Sequence, residues 1–168
     1  PGFFNLVGYV ENRNAVAASP ALPYTFTLYD DAGLIREVRG ETILPPNSEY
    51  PIFVPRVATD GRTPTRTFLT LGEAELWQPA EQGREQFDVT SRRLESFDAA
   101  PRLFAELTNT ALTEAFDVEI VATIFDAAGN ALTSSRTVID RFLPRSTETI
   151  VFTWQEPIAA TVRSCEIP

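Results

Sequence analysis

The chain has 168 residues, 43% hydrophobic and 22% charged, a composition able to bury a core and far from that of a disordered segment. Its net charge of −9, with all 14 basic residues arginine, argues against a nucleic-acid partner, because phosphate contacts need clustered cations that release counterions. Histidine is absent, which removes the usual general base of nucleophile triads and the commonest transition-metal ligand.

The arginine doublet Arg92-Arg93 is isolated and reads as a solvated strand face. No stretch reaches the roughly 20 consecutive apolar residues of a membrane-spanning helix. Cys165 is the single cysteine, so no internal disulfide forms; the alternation around it, Thr161 to Ile167, reads as a terminal strand holding a small buried side chain. Pro1 where a methionine would start a chain implies a processed product or fragment, with upstream elements outside this sequence.

Thirteen prolines, many threonines and scattered Val, Ile and Phe favour strands and turns over helices. In chain order the pattern predicts strands over 6–11, 24–29, 34–39, 49–54 and 65–77. A polar stretch with Pro and Gly follows, and then strands over 86–96, 102–107, 116–125, 131–139, 147–154 and 161–167. This spacing, roughly 8 to 15 residues between turn signals, is that of a sandwich or barrel. A single helical turn near Glu73 to Leu76 is the one alternative to strand.

The two halves repeat. Leu6-Val-Gly-Tyr-Val-Glu-Asn12 answers Leu103-Phe-Ala-Glu-Leu-Thr-Asn109. Tyr24-Thr-Phe-Thr-Leu-Tyr-Asp-Asp-Ala-Gly33 answers Ile120-Val-Ala-Thr-Ile-Phe-Asp-Ala-Ala-Gly129 with Asp and Gly in register. Ile43-Leu-Pro45 is matched to Phe142-Leu-Pro144, and Glu49 to Phe53 is matched to Glu148 to Phe152. The expected organisation is all-β, two tandem immunoglobulin-like antiparallel β-sandwich domains at 1–78 and 86–168, joined by a linker at 79–85. The second copy opens with an extra strand, Phe87 to Phe97, for which Pro1-Gly-Phe-Phe4 leaves almost no counterpart. One edge of the first copy is therefore expected to be open, filled by upstream residues or by another chain.

Phe26-Thr-Leu-Tyr-Asp30, with Gly8, Asn12, Gly33 and Leu44-Pro45, resembles the bacterial FxLYD family of immunoglobulin-like domains. Ala122-Thr-Ile-Phe-Asp126 is a looser match. Two such modules are similar to those of hypothetical membrane-anchored bacterial proteins, and the resemblance implies an extracytoplasmic, surface or outward-facing β-sandwich without known catalysis; it implies no site residues. Read without the family, Phe26 and Leu28 point inward, Asp30 closes a turn on its own downstream backbone, and Gly33 takes positive φ.

Candidate chemistry is sparse. The acid pairs Glu73 with Glu75 and Glu11 with Asp117 read as solvated surface rather than a carboxylate pair for catalysis. Asp30, Asp31, Asp60 and Asp126 are candidate calcium oxygens, but Asp126-Ala-Ala-Gly129 offers one carboxylate where a calcium loop offers several. No phosphate loop or cofactor motif is present, and no cofactor is expected. Trp77 and Trp154 read as core or sheet-end packing rather than a carbohydrate platform. Pro55 to Pro64 is the first copy's distinctive excursion, and Arg56, Asp60 and Arg62 on it form the candidate contact loop. The expected function is a non-catalytic structural or protein-interaction module, with homotypic assembly as one form. Carbohydrate or calcium binding between the modules is the alternative.

Overall fold

In the computed structural model the chain is built almost entirely of antiparallel strands and divides into two compact units, Pro1–Arg84 and Glu85–Pro168. The structure describes residues 2–80, 86–96, 99–155, 157–158 and 162–166, with the backbone course alone for the last group.

The first unit holds β1 (Phe3–Asn12), β2 (Ala17–Asp30), β3 (Gly33–Leu44), β4 (Ser48–Ala58), β5 (Arg66–Leu71) and β6 (Gln78–Pro79). β1 pairs with β4 in one sheet, and the other runs β3-β2-β5 with β6 on the start of β2. Alternation along β1 turns Leu6, Gly8, Val10 and Asn12 to the inner face. Leu6 and Val10 meet Phe26 and Leu28 of β2, with Leu44, Ile52 and Val57, in one buried cluster. That is a sandwich core fed by both sheets.

The strands β1 to β4 run longer than the pattern predicts, and β5 runs shorter. β2 starts at Ala17 although Pro20 and Pro23 lie within it, because the ladder to β5 begins only at Tyr24. The Pro23 carbonyl still accepts the Gly72 N–H at 2.8 Å; proline lacks only the donor. β5 ends at Leu71, not Trp77, so Trp77 lies outside any strand and is 48% exposed. Gln78–Pro79 pairs with Ala17 and Ala18, which places the start of the expected linker inside the first unit. Residues 81–85 of that linker lie outside the described residues.

The second unit holds β7 (Phe87–Glu95), β8 (Arg102–Asn109), β9 (Ala115–Asp126), β10 (Ala131–Phe142), β11 (Thr147–Thr153) and β12 (Val162–Glu166). Its sheets run β11-β8-β7 and β10-β9-β12. Leu103, Ala105, Leu107, Ile120, Ala122, Ile124, Phe142, Ile150, Phe152 and Trp154 form its core. Trp154 is 8% exposed, as its strand pattern predicts. Cys165 pairs by backbone with Ile124 in the expected terminal strand; its side chain lies outside the described residues.

Both units close around one buried asparagine. Asn12 donates its carboxamide to the Ala17 carbonyl (2.9 Å) and the Pro45 carbonyl (2.8 Å), and accepts the Asn14 N–H (3.0 Å). Asn109 donates to the carbonyls of Thr113 (3.0 Å), Phe142 (3.4 Å) and Leu143 (3.2 Å), and accepts the Ala111 N–H (3.0 Å). The following turns match as well: Ser48 Oγ donates to the Pro45 carbonyl and Ser146 Oγ to that of Leu143, while Asn47 and Arg145 both take positive φ.

These bonds correct the register of the repeat. Pro45 corresponds to Leu143 and Pro46 to Pro144, one residue away from the match read in the sequence. In the following strand Ile52 corresponds to Ile150 and Val54 to Phe152, since Gly8 faces Ile52 as Ala105 faces Ile150. The Pro45-Pro46 doublet hid the shift.

The register also explains Gly8. A Cβ there would lie 2.6 Å from Leu69 Cδ2 and 3.3 Å from the Phe26 ring. The corresponding pair in the second unit is Ala105 and Ala122, and that core carries Phe142 and Phe152 where the first has Leu44 and Val54. Phe26→Ala should cost about 3–5 kcal/mol, and Gly8→Ala about 1–3 kcal/mol by overpacking. In urea unfolding, Gly8→Ala should cost markedly less once Phe26 is alanine; strictly additive losses would contradict this packing account.

Candidate functional site

The candidate contact residues occupy two different settings. Pro55, Arg56, Val57 and Ala58 belong to β4 rather than to a loop. Between the Phe4–Val57 and Leu6–Val54 pairs, β1 supplies one residue and β4 two, a bulge that Arg56 completes at φ 54°. The Arg56 N–H donates to Asn5 Oδ1 at 3.0 Å, replacing a ladder bond. Its guanidinium lies 4.9 Å from the ring centre of Phe3, which is 59% exposed. Arg56 and Phe3 thus form a surface cation–π pair at the start of β1.

Arg62 does something else. Its Nε donates to Asp30 Oδ2 at 2.7 Å, Nη2 bonds Asp30 Oδ1, and Nη1 donates to the Leu34 carbonyl at 2.9 Å. Asp30 also accepts the Ala32 N–H at 2.8 Å, the local turn bond that the sequence predicts. Arg62 therefore clamps the β2–β3 turn in a fork-to-fork pair, and its contact chemistry is spent within the unit. The Arg62 N–H bonds the Thr59 carbonyl at 3.0 Å, and the Thr59 N–H bonds the Gly2 carbonyl at 2.9 Å, so the loop is tied at both ends. Asp60, at φ 54°, lies 3.6 Å from Arg36 and is exposed.

The equivalent turn of the second unit is held without an arginine. Asp126 accepts the backbone N–H groups of Ala128 and Asn130, both at 2.8 Å, and the Asn130 carboxamide at 2.9 Å. Both carboxylates are held below their ordinary range: Asp30 mainly by the Arg62 guanidinium, helped by the Ala32 and Gly33 amides, and Asp126 mainly by the Asn130 side chain and backbone. Among the described residues no three His, Cys, Asp or Glu side chains gather as a metal site. Glu73, Glu75, Glu11 and Asp117 are all exposed, and Glu11 pairs with Arg13 at 2.9 Å. Among the described residues no helix is long and apolar enough to cross a membrane.

The largest difference between the units is a sheet edge. In the second, β8 lies between β11 and β7. The Asn109 N–H bonds the Ser146 carbonyl on one side and the Thr110 N–H bonds the Gln86 carbonyl on the other. Alternate residues of β8 therefore serve alternate neighbours: Leu103, Ala105, Leu107 and Asn109 serve β11, and Phe104, Glu106 and Thr108 serve β7. In the first unit β1 pairs with β4 alone among the described residues. By the same register the backbone groups of Val7, Tyr9 and Glu11 point to the side where β7 would lie. The sequence signalled this edge through the extra strand of the second copy; it gave no sign of the Arg62 clamp, which spans 32 positions.

The Asp30–Arg62 pair has a pH signature. Because the folded-state pKa of Asp30 is lowered, its stabilisation is full above the unfolded value, about 4, and is lost as pH falls through the folded value. Arg62→Gln should lower first-unit stability at neutral pH and flatten its decline on acidification below about pH 4. An unchanged acid limb in urea titrations would remove the clamp from the account. Compared with known proteins, the chain matches no family model and no curated sequence.

Proposed function

We propose that this chain is a non-catalytic structural or protein-interaction module acting outside the cytoplasm, whose contact surface lies on its first unit. The carrying observation is the outer edge of β1, without a partner strand among the described residues while its counterpart on β8 is filled by β7. Sheet edges recruit strands, because a row of backbone donors and acceptors is a template for another chain. The Phe-Thr-Leu-Tyr-Asp resemblance supports the extracytoplasmic placement. Phe3 at the start of β1 and Arg56 of β4 form an exposed pair at that end of the sheet.

Residue-resolved hydrogen exchange tests the edge on which this rests. The amides of Val7 and Glu11 should exchange at least about tenfold faster than those of Phe104 and Thr108, as unpaired strand amides do beside paired ones. Equal protection of the four would show a closed edge and remove the basis of the reading.

A further inference from the structure

We infer that residues 59–62 form a releasable strap, which holds Gly2, Phe3 and Phe4 against the end of β4 through the Arg62–Asp30 pair and, once released, lets that segment open while the sandwich stays folded. This conformational device goes beyond the proposed contact edge and does not depend on it.

The bulge completed by Arg56 divides the β1–β4 ladder between the Phe4–Val57 and Leu6–Val54 pairs. Beyond it β1 is anchored by side chains, since Leu6 and Val10 belong to the buried cluster. Before it the anchoring is different. Among the described residues that cluster takes neither Phe3 nor Phe4, and Phe3 is 59% exposed. This segment is held by backbone pairing, Phe3 opposite Ala58 and Phe4 opposite Val57, extended by the Thr59 N–H on the Gly2 carbonyl at 2.9 Å. The Arg56 guanidinium over the Phe3 ring adds an exposed contact. A short stretch of ladder with little core burial opens at low free energy unless its far end is fixed.

The strap fixes that end. Thr59, 1% exposed, donates its hydroxyl to the Arg62 carbonyl at 2.5 Å, and the Arg62 N–H donates to the Thr59 carbonyl at 3.0 Å. Between them Asp60 and Gly61 both take left-handed φ, 54° and 80°, the tight turn to which an Asp-Gly pair is suited. Thr59 and Arg62 therefore move as one piece. The Arg62 side chain fastens that piece to the β2–β3 turn through both Asp30 oxygens and the Leu34 carbonyl, and the Thr65 N–H on the Tyr29 carbonyl, at 2.9 Å, marks its end on the β5 side. A chain of bonds thus runs from Asp30 to the Gly2 carbonyl. Its accessible link is the ion pair, with Arg62 36% and Asp30 18% exposed. The Asp60–Arg36 contact, 3.6 Å long with the Asp60 side chain 82% exposed, adds little, as exposed ion pairs do. Breaking the Arg62 fork leaves the Asp-Gly turn intact but unfastened, free to move with Gly2, Phe3 and Phe4 about the bulge.

Native-state hydrogen exchange of the full chain in sub-denaturing urea tests the strap. The Thr59 amide should exchange through a small opening nearly independent of urea, whereas those of Gly8 and Val10, which face β4 beyond the bulge, should follow the steep urea dependence of unfolding. Arg62→Gln should speed Thr59 exchange in the urea-independent range by roughly tenfold, the size of one lost charge-assisted hydrogen bond. Asp30→Asn keeps an acceptor for the Ala32 N–H and should have the same effect from the other side of the pair, so the test stands even where one variant fails to fold. Thr59 sharing the free energy and urea dependence of Gly8 and Val10 in the unaltered chain would show no separate opening and overturn the inference. A Thr59 rate unchanged in the folded variants would overturn it as well, by showing that the turn is held without the ion pair.

Discussion

A carboxamide buried at the end of the first core strand decides how each unit is assembled. Asn12, 5% exposed, and Asn109, fully buried, bond carbonyls from two separate connections. One connection leaves the strand toward the opposite sheet, and the other returns from that sheet. Removing the carbonyl partners would leave a buried carboxamide unpaired, at a cost of roughly 1–3 kcal/mol. With these bonds in place, the end of the sandwich is fixed and the register of the third and fourth strands follows. Hydrophobic alternation alone leaves that register free to slip by a residue, with every side chain changing face.

Much of this architecture was legible from spacing. The period-two alternation of Leu6, Gly8 and Val10, and of Phe26 and Leu28, gave the inner faces, because a half-buried strand admits no other pattern. Asp30 and Gly33 gave the turn, whose chemistry is local. The repeat gave the two-unit organisation and the unequal front strands. What escaped were features set by distant partners. Arg62 reads as a loop arginine until the fold brings it to Asp30. Trp77 reads as strand until Gly72 turns away on the Pro23 carbonyl. The one-residue offset between Pro45 and Leu143 is invisible where two prolines adjoin, since either completes a Leu-Pro match.

The candidate contact residues separate for the same reason. A sequence window groups Arg56, Asp60 and Arg62 by proximity along the chain, whereas the fold assigns them by backbone geometry. Arg56 completes a β-bulge and turns its guanidinium onto Phe3; Arg62 is drawn inward to a carboxylate 32 residues earlier. Under the proposed function, contact falls less to the loop than to the strand edge beside it. Affinity at such an edge comes from repeating backbone groups, while selectivity comes from the side chains flanking them.

The exchange of bulk between the two cores carries a consequence for how the chain reaches its native state. Neighbouring repeats of similar sequence risk trading strands as they fold, a characteristic failure of tandem proteins. Here the trade is penalised from both sides. A β2 strand entering the second unit would bring Phe26 against Ala105 in a core already holding Phe142 and Phe152, and a β9 strand entering the first would leave a void where Ala122 replaces that ring. The glycine that makes room for Leu69 and Phe26 thereby also marks which strand belongs to which half.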